Sequence, residues 1–249
     1  MLIKLLVINL ILGISIYAKS INIAVAANVS YAMPQLIDEF HKLHKDIDVK
    51  VVLGSSGKLT AQIKHGAPFD LFISANMRYP QSLYSDKIAI TTPKIYAQGA
   101  LVYLSVKRRD FTKGIEILTQ PDISKIAIAN PKTAPYGKAA IEAIKSSGIY
   151  DKIAKKIIYA ESASQTVIYT TKATDIGLIA KSSLYSPHLS IYKKGINWID
   201  VDPKLYNPID QGMVILKRGE GSKEVKSFYD FMLGDSAKAV LKRFGYILP

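Results

Sequence analysis

A two-lobed α/β fold, each lobe a mainly parallel sheet flanked by helices, is what the sequence predicts. Three observations carry that expectation. Apolar strand-like runs alternate with amphipathic helical stretches, the signature of parallel α/β units. The 249 residues suffice for one large or two small domains. Strands near 99–106 and 211–217 bracket a self-contained α/β block. A chain that leaves one lobe, builds a second and returns makes two crossovers, and the cleft between lobes is a preferred ligand position. The expected boundaries are 1–18 for a signal peptide, 19–98 with 210–249 for lobe 1, and 99–209 for lobe 2.

The signal peptide is read from its three parts. Lys4 supplies a positive charge, Leu5 to Ile16 is apolar apart from Asn9, Gly13 and Ser15, and Ala18 is a small residue at the expected cleavage point. The run is too short to span a bilayer, and no other segment approaches the roughly 20 apolar residues that a spanning helix needs. A periplasmic location follows as the expectation. The chain has no cysteine. That excludes a disulfide framework, a lipid anchor on cysteine, thiolate metal sites and cysteine nucleophiles.

The elements follow in order. Ile21 to Ala26 reads as a strand. Pro34 is tolerated only near a helix start, so a helix is expected from about Asn28 to Ser30, both good capping types. Its inward face would hold Leu36, Ile37, Phe40 and Leu43. Ile47 to Leu53 alternates around Asp48 and Lys50 as a second strand. A helix over about 58–65 stops at Gly66, and Asp70 to Ala75 is a third, buried strand. Further strands are expected at 99–106, 125–129, 157–160 and 175–180, with helices over 136–147 and 165–173. Residues 181–210, rich in Tyr, Pro and Lys, read as irregular. Gly212 to Lys217 is the last strand. A single amphipathic helix over 222–244 closes the chain, with Val225, Phe228, Phe231, Met232, Val240, Leu241 and Phe244 facing inward.

Lys and Arg number 33 against 20 Asp and Glu. Such an excess favours anionic partners. The basic residues are scattered, and even the densest group, Lys107-Arg108-Arg109, has no interleaved aromatics for base stacking. No nucleic-acid partner is expected. Gly57-Lys58 resembles the end of a P-loop, but Val52 and Leu59 stand where that fingerprint requires Gly and Ser or Thr. His41 and His44 lie three apart on one helix near Asp38 without further ligands, so no direct cation site is expected. No Gly-x-Ser-x-Gly turn or serine–histidine context points to catalysis, and the chain is read as a non-enzyme without cofactor.

Four strand-to-helix junctions share one character. They are Ala26 to Ser30, Gly54 to Gly57, Asn130 to Gly137, and Glu161 to Gln165. Each is short, small-sided and opens a helix. Helix N-termini carry unsatisfied N–H groups and the positive end of the macrodipole, so they attract anions without a charged side chain.

At these junctions the chain resembles the molybdate-binding proteins of ABC importers, the ModA type. The resemblance rests on Ala26-Ala27-Asn28, on Gly54 through Leu59, on Gly66 through Ala75, on Asn130-Pro131 with Pro135-Tyr136-Gly137, on Ile176-Gly177, and on Phe228-Tyr229 to Gly245-Tyr246, in that order. It implies a two-lobed type II periplasmic binding protein. Carried over position by position, it implies oxyanion contacts at Ala27, Asn28, Ser56, Tyr136 and Ala163, with Tyr136 offering its hydroxyl. It departs from some members, which have Ser at the position of Asn28 or Tyr at that of Ala180. The implied ligand is molybdate or tungstate, the implied partners are the importer's membrane permease subunits, and the protein is expected to be a monomer. The alternatives are a binder of sulfate or another oxyanion, and a secreted hydrolase using an unrecognised carboxylate pair.

Overall fold

The computed structural model describes residues 19–248; the expected signal peptide at 1–18 lies outside the described residues. The chain opens with β1 (Lys19–Ala26) and a one-turn 3-10 segment (Ala27–Val29), followed by α1 (Met33–His41), β2 (Ile47–Gly54) and α2 (Ser56–Lys64). Next come β3 (Leu71–Ile73), α3 (Arg78–Ser85), β4 (Lys94–Gly99) and β5 (Leu101–Leu104). The middle of the chain builds β6 (Ile126–Ala129), α4 (Pro135–Ser146), a single turn α5 (Tyr150–Ile153), β7 (Ile157–Ala160), α6 (Ala163–Lys172) and β8 (Ile176–Ala180). It ends with β9 (Trp198–Asp200), β10 (Ile209–Ile215), α7 (Lys223–Leu233) and α8 (Asp235–Arg243).

The strands form two five-stranded sheets, ordered β2-β1-β3-β10-β4 and β7-β6-β8-β5-β9. In the first, β1 pairs in parallel with β2 and β3, while β10 runs antiparallel to both β3 and β4. The second repeats this plan: β6 is parallel to β7 and β8, and β5 is antiparallel to β8 and β9. Each sheet is therefore mixed rather than mainly parallel. The reversed strands belong to the crossings. β5 enters its sheet directly from β4 with only Ala100 between them, and β10 returns from the second sheet to the first. Such strands arrive without a crossover helix, so nothing obliges them to run parallel.

That geometry corrects the strand expected at 99–106. An unbroken apolar run reads as one strand, yet it is divided at Ala100 between two sheets. Other differences have local causes. α1 starts at Met33, not at Asn28 to Ser30, with Pro34 in its first turn where no donor is required. It ends at His41, so Leu43 lies beyond it and is 79% exposed rather than inward-facing. The closing helix is two helices broken at Gly234, whose extended backbone (φ −81°, ψ 168°) cannot continue α7. α3 is an element outside the sequence reading; its Pro80 sits in the first turn, where the missing N–H costs no helical bond. The supposedly irregular stretch 181–210 contributes the edge strand β9. Gly66 ends α2 as expected, in the left-handed conformation (φ +85°) that a C-terminal cap requires.

Helices cover both faces of the first sheet. Leu36 and Phe40 of α1 and Phe228, Met232, Val240 and Leu241 of α7 and α8 pack on Ile21, Ile23 and Val25. On the other face Leu59, Ile63 and Leu83 meet Phe72 and Val214. In the second sheet, Ala139, Ala140, Ala143 and Ile144 of α4 close on Ile126 and Ile128. Small residues there let α4 approach its sheet closely. The Phe40 and Phe228 rings meet edge to face, 5.0 Å between centroids at 76°, a favoured aromatic geometry. Phe228→Ala should lower unfolding free energy by about 3–5 kcal/mol, read from a reduced urea midpoint at unchanged slope; a loss under about 1 kcal/mol would contradict this placement of the core.

Candidate functional site

The parallel registers decide where the junctions go. Ala26 pairs with Gly54 at the C-terminal ends of β1 and β2. The next residues, Ala27-Asn28 and Ser55-Ser56, therefore leave the first sheet side by side. In the second sheet Ala129 pairs with Ala160, so the loop to Tyr136 and the turn to Ala163 also leave together. Ligands of α/β sheets gather outside such carboxyl ends. Here the two sheets present theirs to each other.

A small cavity of about 10 Å3 lies where they meet. Ala27, Asn28, Ser56, Tyr136 and Ala163 all line it, together with Ser55, Ala75, Ala134 and the neighbouring backbone. The volume is below the roughly 300–1,000 Å3 of pockets for larger organic ligands. No lining residue is Asp, Glu, Lys, Arg or His.

What faces the cavity is a set of helix openings. Ser56 and Ala163 are the first residues of α2 and α6. α4 begins with Pro135, which has no N–H, so Tyr136 carries the first donor that this helix offers. These N–H groups precede the helical ladder and lack helical partners. Asn28 is different. It lies in the one-turn 3-10 segment and not at the start of an α-helix, so its contribution is a turn donor without a helix dipole behind it.

The side chains add to this. The Ser56 hydroxyl accepts from the Ala75 N–H at 3.0 Å, which leaves its own hydrogen to donate elsewhere. Ser55, overlooked in the sequence, is 3% exposed and lines the same wall. It stands at the cap of α2 without capping it, and its Oγ has no partner. Ser162 and Ser222, at the same position of α6 and α7, do accept a cap hydrogen bond. The Tyr136 hydroxyl, read from sequence as a ligand contact, accepts from Gln211 Nε2 at 3.1 Å. Asn28 Nδ2 donates to Gln211 Oε1 at 2.8 Å and to the Tyr246 hydroxyl at 3.0 Å, and Asn28 Oδ1 has no partner. The Asn28 carbonyl accepts from Tyr246 and from Ser182, each at 2.9 Å. Gln211, Tyr246 and Ser182 lie far from Asn28 in sequence, and no local pattern marks them.

Contacts also join the two sides of the cavity. Gly57 N–H donates to the Thr133 carbonyl at 2.9 Å. Lys58 pairs with Glu161 at 2.6 Å, both about half exposed. A side chain at Gly57 would place its Cβ 2.7 Å from the Tyr79 hydroxyl and 3.0 Å from the Thr133 backbone. Glycine is required there by close approach, not by conformation. His41, set aside as a metal ligand, meets the Ile47 carbonyl at 2.9 Å, and His44 stacks on Phe40. Among the described residues no group of three or more metal-ligating side chains is gathered.

Burial keeps the site's phenols neutral. It pushes Tyr96 and Tyr136 well above the ordinary value, with repulsion from neighbouring tyrosines adding to it. Tyr246 is pushed up to about 12 by burial, against the pull of its bonds to Ser182 and Asn28.

Two lobes built around such a cavity define a solute-binding protein. The chain belongs to the bacterial extracellular solute-binding protein family, matched over residues 21–247, and within it to the ModA group. It is 30% identical over 240 residues to the molybdate-binding protein ModA of Azotobacter vinelandii, covering 95% of this chain and 93% of that one. It is 33% identical over 202 residues to ModA of Rhodobacter capsulatus, covering 80% and 77%. The solved periplasmic molybdate-binding protein of Azotobacter vinelandii superposes with a TM-score of 0.85 at 31% identity, over 92% of this chain and 99% of that one.

Raised phenol values have a consequence for stability. A group that holds its proton more tightly when folded stabilises fully below its unfolded value, about 10 for tyrosine. That stabilisation is lost as pH rises toward the folded value. The urea midpoint should hold to about pH 9 and fall between about pH 10 and 12, with the last tyrosinate absorbance appearing only as the protein unfolds. Complete tyrosine ionisation in a still-folded protein would contradict it.

Proposed function

We propose that the protein captures molybdate, and tungstate with it, in the periplasm and delivers it to the permease subunits of an ABC importer. The observation that carries this reading is the small, charge-free cavity ringed by helix openings and the Ser56 hydroxyl. Kinship with the ModA proteins supports it.

The chemistry is consistent. Molybdate is a dianion and purely an acceptor at neutral pH, so a wall of donors suits it. Monohydrogen phosphate would bring its own O–H against donors, and a buried unpaired polar group costs about 1–3 kcal/mol. Sulfate is also acceptor-only, so donors cannot reject it. Its shorter bonds to oxygen leave a fixed shell of donors in poor contact, and cavity size becomes the discriminator. Neutral donors and helix dipoles stabilise the dianion without salt-bridge partners whose own desolvation must be offset.

Residues 19–98 with 210–249 act as one body and 99–209 as the other, hinged at the two crossings. Closure brings the second pair of junctions onto an ion already held by the first. The Gly57–Thr133 and Lys58–Glu161 contacts stabilise the closed form. The protein acts as a monomer, exported by its N-terminal 18 residues, and carries no catalytic role.

Calorimetry on the mature protein tests the reading. Molybdate and tungstate should bind tightly and sulfate far more weakly. No heat and no thermal shift with either metal oxyanion would sink it, and tighter binding of sulfate would transfer the assignment to that ion. Ser56→Ala should weaken molybdate binding about tenfold, the worth of one hydrogen bond to a charged group, in a protein that still folds but melts somewhat lower because the Ala75 N–H loses its acceptor.

A further inference from the structure

Gln211 is fully buried on β10, one layer behind the cavity. It does not line the cavity, but both of its amide ends reach residues that do. Oε1 accepts from Asn28 Nδ2 at 2.8 Å, and Nε2 donates to the Tyr136 hydroxyl at 3.1 Å. Tyr96, also buried and off the cavity wall, donates to the same Oε1 at 2.7 Å. The pairing of β10 with β4 shifts register between Gln211 and Gly212, an irregularity of the kind that re-aims a side chain. Gly99, which pairs with Ile209 two residues along, leaves no spare room beside it. A Cβ there would collide with the Tyr136 hydroxyl and stand 2.7 Å from Gln211 Nε2.

We propose that Gln211 is a positioning residue for the oxyanion site, setting the orientation of Asn28 and Tyr136 together and tying them across the two lobes. This rests on the molybdate reading above. The two amides meet head to tail, nitrogen to oxygen. Turning over either one alone would set like atoms 2.8 Å apart, so Gln211, with Tyr246, holds the Asn28 amide nitrogen in the layer behind the cavity and pins the turn that carries the Asn28 backbone. A phenol has one hydrogen. Because Gln211 occupies a lone pair of the Tyr136 oxygen, that hydrogen is free to turn away from Gln211. Gln211 belongs to the first sheet and Tyr136 to a helix on the second, beside the point where the chain crosses at Gly99 and Ile209. One side chain therefore ties a cavity-lining residue of each lobe into a common geometry. A buried amide that served packing alone would be replaceable by an apolar residue of its size.

A double-mutant cycle read by calorimetry with molybdate as probe tests this, using Gln211→Leu, Tyr136→Phe and the double variant of the mature protein. Gln211→Leu should weaken binding about tenfold or more, the loss expected when partners of a buried polar network are freed. The double variant should bind no worse than the weaker single, because Gln211 acts through Tyr136. Tyr96→Phe removes only one bond to Gln211 and leaves the cavity wall intact; it should weaken binding several-fold and replaces Gln211→Leu in the cycle should that variant fail to fold. A purely structural Gln211 would lower the unliganded melting temperature and leave the dissociation constant within about twofold, which overturns the proposal, as do losses that simply add. A folded wild-type protein with no heat for molybdate, tungstate or sulfate overturns the oxyanion reading itself, and this inference with it. A wild type that binds molybdate while the cycle is additive overturns this inference alone.

Discussion

The site depends on register. Ala26 stands opposite Gly54 in one sheet, and Ala129 opposite Ala160 in the other. A slip of one residue in either pair would turn every side chain of the moved strand to the opposite face. It would also carry Ser56 or Ala163 out of line with its partner junction. The buried faces forbid such a slip. Ile21, Ile23 and Val25 fill one side of β1, and Ala24 packs on the other with Leu59 and Phe72. The hydrophobic core thus places four backbone openings without any of them contributing much to stability.

With position settled by packing, the site is free to be built from weak, uncharged groups. Each donor is modest in water. Inside a small buried cavity the same groups would face the proposed anion in a low effective dielectric, where they are worth more. Lys58 and Glu161, charged residues of two of the junctions, pair with each other at the side of the site. The large positive charge of the chain is spread over the surface, and attraction at that range is screened by salt. On the proposed function, anion recognition is a property of backbone geometry and hydroxyl orientation, not of the basic composition.

The polar layer behind the cavity is the counterpart of that choice. Tyr96, Gln211, Asn28, Tyr136 and Tyr246 form a connected, buried set of hydrogen bonds. Buried polar groups are costly unless nearly all are satisfied. Two on the cavity wall, Ser55 Oγ and Asn28 Oδ1, have no partner within the protein. The layer draws on the 3-10 turn after β1, on β4, α4 and β10, and on the chain's final turn, so it joins both sheets at their crossings.

The sequence alone determined the local units. Alternating strands and helices, the cap at Gly66, the strand-to-helix junctions that hold Ser56, Tyr136 and Ala163, and the absence of thiol or phosphate-loop chemistry all follow from residue types within a few positions of one another, although the helices over 58–65 and 165–173 begin two residues earlier than those patterns place them. Periodicity and capping are local physics, so they can be read locally. Tertiary structure decided the rest. The run at 99–106 carries no mark of the passage between sheets at Ala100, because Gly99 at the end of β4 and Leu101 to Leu104 of β5 are alike buried and only the sheet they join differs. Leu43 matched a helical face until α1 ended at His41 and left it outside. Asn28 looked like a helix start but sits in a separate 3-10 turn. Gln211 reads as an ordinary polar residue in a strand, since its partners lie 75 to 183 positions away in sequence. The helix openings of the oxyanion site were legible because a helix start is written in its own few residues. The layer that orients its side chains was not, because hydrogen bonds between distant strands exist only once the two lobes are folded against each other.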